Sequence, residues 1–185
     1  MSLVGLAAGC VVAHADENFG RFKGELVARF LQDGRNIQLV QPFGYVDPQG
    51  RLWEAPVGYE SDGAKVPQTF WIAHPPFTGK YRAAAVIFDY LCDTRLLPWR
   101  EADKIFYLAM RAAGVEEGEA KYLYAMMYYC GPRWGIGTAT QGPGSISSTE
   151  QQTAALTQLD SWIKGANPAI EEIARRIDDG TFGRQ

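Results

Sequence analysis

The sequence predicts an α+β fold: a small N-terminal antiparallel β meander, then a three-helix core and two C-terminal helices. Three observations carry this. Residues 22 to 56 consist of short apolar and aromatic runs separated by turn-forming pairs. From Lys80 onward the apolar residues recur at helical spacing. Prolines and glycines then stand where helices begin and end. Strands first and helices after is the α+β order.

The elements follow in turn. Glu25 to Leu31 reads as a strand, Asp33-Gly34 as a turn, and Ile37 to Val40 as the returning strand. Phe43 to Val46 and Arg51 to Glu54 flank Asp47-Pro48-Gln49-Gly50, whose proline and glycine suit the dihedrals of a tight turn. A loop from Val57 to Pro76 carries Ser61-Asp62-Gly63-Ala64-Lys65-Val66-Pro67. Tyr81 to Cys92 is so apolar that it reads as the central helix. Pro98 fits the first position of the next helix, which runs to Ala113 with Gly114 just beyond its end. Glu116 to Cys130 is the third helix, stopped by Gly131. Residues 131 to 146 hold five Gly and two Pro and read as a long loop or linker. Ser148-Thr149-Glu150-Gln151 matches a capping box that opens a helix to about Lys164. Asn167-Pro168, with Glu171 and Glu172 behind it, reads as the cap of a last helix ending before Gly180. The expected organisation is an N-terminal apolar segment over 1–21, an α+β domain over 22–135, a Gly/Ser-rich loop over 136–147 and a helical extension over 148–185.

Composition narrows the function classes. The 185 residues are 46% apolar and 21% charged, ordinary values for a globular domain. Eighteen basic against 21 acidic residues give a net charge of −3, so no electrostatic footprint of nucleic-acid binding is present. Two His and three Cys lack the spacing of a structural zinc site. The apolar run Leu3 to Ala13 is too short for a bilayer span and no basic residue precedes it, as a signal peptide requires. A retained packing segment is expected, in a virion-associated or cytoplasmic protein; a signal remnant, and with it a periplasmic or secreted location, is the alternative.

Asp62-Gly63-Ala64, Val66-Pro67, Pro75-Pro76-Phe77, Gly79-Lys80-Tyr81-Arg82 and Ala85-Val86-Ile87-Phe88-Asp89-Tyr90 occur in that order. Ala102-Asp103-Lys104-Ile105-Phe106, Gly114-Val115 and Gly131-Pro132-Arg133-Trp134 continue the series. Over residues 23 to 135 this pattern resembles the phage, prophage and bacterial family called domain of unknown function 1353. The resemblance implies a serine where this chain has Lys65, and a histidine where it has Phe88. It also implies likeness to the active-site helix of secreted phospholipases, in which such a His is the base and the adjoining Asp helps bind calcium. With Phe88 in that place no imidazole is available to activate water, and a degenerate site is expected.

The remaining chemistry lies in carboxylates. Asp89 sits on an otherwise apolar helix and needs a partner for its charge. It could hold the Asp62-to-Pro67 loop through backbone N–H bonds, pair with Lys65 or Arg82, or join Asp62 and Asp93 in an oxygen-ligand site for calcium or another divalent cation. Asp103 lies near a helix start, where the dipole favours a carboxylate. Lys65 as an amine and His74 as a substitute imidazole are the weaker catalytic candidates, while His14 reads as solvated. Cys92 and Cys130 could form a bridge or pack as small hydrophobes. Tyr122, Tyr124, Tyr128, Tyr129 and Trp134 are expected to form core and, off the core face, a partner surface. The sequence favours a non-catalytic module that binds protein partners or a second copy of itself, without a cofactor. The alternative is a cation-dependent hydrolase of lipid or cell-envelope material.

Overall fold

The computed structural model describes residues 18–33, 36–63, 79–135, 138–140 and 149–182. The apolar N-terminal run, His14, Lys65 and His74 lie outside the described residues. Six short strands come first: β1 (Arg21–Lys23), β2 (Ala28–Phe30), β3 (Ile37–Leu39), β4 (Phe43–Val46), β5 (Leu52–Ala55) and β6 (Glu60–Ser61). They form two antiparallel three-stranded sheets, ordered β1-β4-β5 and β2-β3-β6, and not the single meander expected. The strand expected from Glu25 to Leu31 pairs only over β2. The chain leaves β4 after Lys23, turns at Gly24 (φ +80°) and crosses to β3, with the Gln41 amide donating to the Glu25 carbonyl at 2.9 Å.

The β4–β5 hairpin has the turn expected at Asp47 to Gly50. Buried Asp47 accepts from the Gln49 and Arg51 amides at 3.0 and 2.9 Å, from Arg51 Nε at 2.7 Å and from Trp53 Nε1 at 3.1 Å. A carboxylate satisfied four ways is a turn-forming group rather than a free reagent.

Five helices follow: α1 (Arg82–Thr94), α2 (Trp99–Ala112), α3 (Glu117–Cys130), α4 (Thr149–Ala166) and α5 (Ile170–Asp178). α1 buries residues on nearly every side because it packs between β5 and β6 on one hand and α2 on the other. Glu116 caps α3 by accepting from the Gly118 and Glu119 amides at 2.8 and 3.2 Å. Gly131 ends α3 for lack of room: a Cβ there would lie 2.3 Å from the Met127 carbonyl oxygen. Within the stretch expected to be loop, β7 (Arg133–Gly135) and β8 (Thr138–Thr140) pair as a hairpin.

The last helix starts later than expected. Asn167 takes a left-handed conformation (φ +42°), and its side-chain oxygen accepts from Lys121 Nζ at 2.6 Å, so Ala169 occupies the N-cap position of α5. The apolar stripe of the extension, Leu156, Leu159, Ile163, Ile170, Ile173 and Ile177, is buried, and α4 and α5 both pack on α3. Among the described residues no helix is long and apolar enough to cross a membrane.

Candidate functional site

The turn after β6 and the central helix meet at Asp89, which is fully buried. Its Oδ2 accepts the Ser61 hydroxyl and, at 2.8 Å, the Gly63 amide. Local structure explains the meeting. β6 ends at Ser61, itself 3% exposed, and Gly63 adopts φ +93°, a left-handed turn that brings its N–H down onto the helix. α1 presents Asp89 toward β6, against which it packs. Neither the Ser61 oxygen nor the Asp89 carboxylate is open to a substrate.

Position 88 lies on a different face of α1. The Phe88 ring is 1% exposed and stacks on Phe106 of α2, with centroids 4.7 Å apart and planes at 28°. Adjacent helical residues are 100° apart, so the residue before Asp89 points into the α1–α2 interface and not at the Ser61–Gly63 turn. An aromatic side chain there contributes packing.

The three carboxylates proposed as cation ligands are not gathered into one group. Asp89 faces Ser61 and Gly63, Asp62 is half-buried, and exposed Asp93 accepts the Tyr59 hydroxyl at 2.8 Å. Among the described residues no three His, Cys, Asp or Glu side chains could hold a metal ion together. Tyr59 meets Tyr90 edge-on at 5.4 Å. Burial, with Asp89 and Asp93 nearby, pushes the Tyr59 phenol far up, so it remains a donor.

Other candidates sort by burial. Asp103 lies near the start of α2, four residues after Trp99, and is 2% exposed; burial pushes its carboxyl well above the usual carboxylate range. Cys92 and Cys130 are both free thiols, and burial pushes Cys130 up to about 12, which keeps it protonated and inert. Tyr124, Tyr128, Tyr129 and Trp134 are buried and Tyr122 half-buried, so α3 displays no tyrosine-rich face. Two features escaped sequence reasoning. Buried Lys121 is neutralised by Glu117 and anchored to Asn167, which the Glu117–Lys121 spacing of four could have suggested. An open groove of about 500 Å³ is lined by Phe22, Leu26, Phe30, Ile37, Phe43 and Arg82, with Phe30 74% exposed. Its residues come from four strands and a helix start, so no local pattern announces it.

Together these features define an α+β module in which a buried carboxylate clamps a strand-end turn to the central helix. Residues 37–127 match the family described as "Protein of unknown function (DUF1353)". The match includes Ser61, Asp89 and Asp103 and stops short of α4 and α5. Two relatives are uncharacterized proteins of Sinorhizobium fredii. One, y4jT, is 39% identical over 136 residues, 72% of this chain and 40% of its own length. The other, y4iH, is 38% identical over 148 residues, 75% of this chain and 60% of its own. The chain thus spans less than two thirds of either relative. No solved structure matches it.

Proposed function

We propose that this protein is a non-catalytic binding or assembly module of the phage type, carrying a hydrolase-like site without its imidazole. One observation carries the reading: Asp89 Oδ2 accepts from Ser61 and Gly63 inside the core, while the Phe88 ring stacks on Phe106. A hydrolytic site needs a base that can reach water or a nucleophile. Buried Ser61 and Asp89 offer neither. The binding half of the reading rests on Phe30, the most exposed large apolar side chain among the described residues, together with exposed Val27 and Val40 near it in sequence. Protein partners or a second copy are the occupants this surface fits.

The test assays the purified protein on phospholipid vesicles and on peptidoglycan, with calcium and with a chelator. No turnover is expected from wild type or from Lys65→Ser. In parallel, wild type and Phe30→Asp are compared in pull-downs from the native source, and partners retained by wild type should be lost by the variant. Hydrolysis by wild type that Asp62→Ala or Asp89→Ala abolishes without unfolding would overturn the proposal.

A further inference from the structure

β2 is an edge strand: among the described residues it pairs with β3 alone. On that ladder Phe30 stands opposite Ile37 and Ala28 opposite Leu39, so all four side chains face the same side of the sheet. Ile37 and Leu39 are buried, yet Phe30 and Ala28 are exposed. The core therefore stops beneath β3, and β2 overhangs the open groove that Leu26, Ala28 and Phe30 line. On the opposite face Arg29 donates to Gln38 at 3.0 Å, and Gln38 donates to Glu60 at 3.0 Å, which ties β2 across the sheet to β6.

The backbone of β2 is only half used. The Val40 amide donates to the Val27 carbonyl at 3.0 Å, and the Leu31 amide to the Asn36 carbonyl at 2.8 Å. Main-chain groups alternate in direction along a strand, so those of Ala28 and Phe30 point outward. One step back the Gln41 side chain holds the Glu25 carbonyl, and Leu26 continues the outward set. Such an edge is a template for another strand. We propose that β2 pairs antiparallel with β2 of a second copy, joining two three-stranded sheets into one continuous sheet. The inference rests on the binding reading above and names its partner.

Charge and length select the register. Centring the pair on Arg29 sets that residue against Arg29 of the second copy, and directly opposed like charges are destabilising. Centring on Phe30 runs into the turn at Gln32. Centring on the small Ala28 sets Arg29 against Val27 and Phe30 against Leu26 of the second copy, with about six main-chain hydrogen bonds. Each Phe30 ring then covers the other copy's groove beside Leu26, the self-complementary contact that a two-fold interface requires. The groove is also lined by Glu25 and Arg82, one charge of each sign. A strongly acidic or basic partner meets like charge there, whereas a second copy brings both signs in balance.

The test follows the mass of the full chain by sedimentation velocity over a hundredfold range of concentration. Wild type is expected to form a dimer, and Phe30→Asp, at an exposed position that leaves the fold intact, should weaken it by about tenfold or more. Register is read by cross-linking. Ala28→Cys, placed opposite itself at a Cα separation within disulfide range, should give a covalent dimer under mild oxidant. Wild type, with its native cysteines, and Arg29→Cys, offset from its own copy, should give far less. A wild type that stays monomeric overturns the inference, whether the apolar run of residues 3–13 or a different protein then covers the groove. So does a dimer that Phe30→Asp leaves unchanged, or an Ala28→Cys yield no higher than that of wild type. A monomer whose Phe30 still governs capture of another protein sinks the self-pairing alone, while the binding reading falls only to the hydrolysis result given for it.

Discussion

Removing the Asp89 carboxylate tests the clamp most directly. In Asp89→Ala two donors lose their acceptor, the Ser61 hydroxyl and the Gly63 amide, and both residues are buried. A buried donor left without a partner costs about 1–3 kcal/mol. The serine hydroxyl can rotate toward another acceptor and the glycine amide cannot, so the expected loss is about 2–4 kcal/mol. Asp89→Asn retains an acceptor oxygen in nearly the same shape and should lose about half as much. Urea unfolding followed by tryptophan fluorescence reads the midpoint, with an unchanged slope confirming that the unfolded state is unaffected. Ser61→Ala combined with Asp89→Ala should cost at least about 0.5 kcal/mol less than the sum of the single variants, because one hydrogen bond is counted in both. An Asp89→Ala midpoint indistinguishable from wild type, or full additivity in the cycle, would refute the clamp.

Two further expectations follow from the same geometry. Burial pushes the Asp47 carboxyl up, but the Arg51 amide, the Arg51 guanidinium and the Trp53 indole outweigh it and hold the group below its ordinary value. A carboxyl lowered by folding stabilises the native state above its unfolded value, and that contribution is lost as pH falls through the folded one. Asp47→Asn should therefore be less stable than wild type near neutrality, with the gap narrowing below about pH 4 in thermal unfolding scans. Ile173→Ala, at a fully buried position of α5, should cost about 2–4 kcal/mol in urea unfolding. A loss under about 0.5 kcal/mol would show that the extension does not fold as one unit with α3.

The helices were legible in the sequence because their signals are local. Gly114 beyond α2, Gly131 after α3 and the apolar runs between them mark boundaries within a few residues. The sheets were less so. Strands of two to four residues are too short for a period of two to declare itself, and nothing in Gly24 says that the chain changes sheets there. Asn167 carried a cap signal that tertiary structure overrode, since Lys121 claimed its side chain. At the site, sequence pointed to Asp89 and to the turn but not to Ser61, its partner 28 residues away. The depth of Asp103 was hidden for the same reason: its surroundings include Arg133 of β7, 30 residues further along the chain.

The interleaving of the two sheets also bears on how the chain is made. As it leaves the ribosome, β1 emerges first but can pair only when β4 appears, about twenty residues later, and β2 has in the meantime only β3 within reach. β6, the third strand of the second sheet, arrives after the first sheet has been completed by β5. The β4–β5 hairpin is the one short-range pairing from which the first sheet can grow. Synthesis therefore passes through a stage in which β1 waits with an unpaired edge, and slowing translation between residues 23 and 43 would prolong its exposure to other chains.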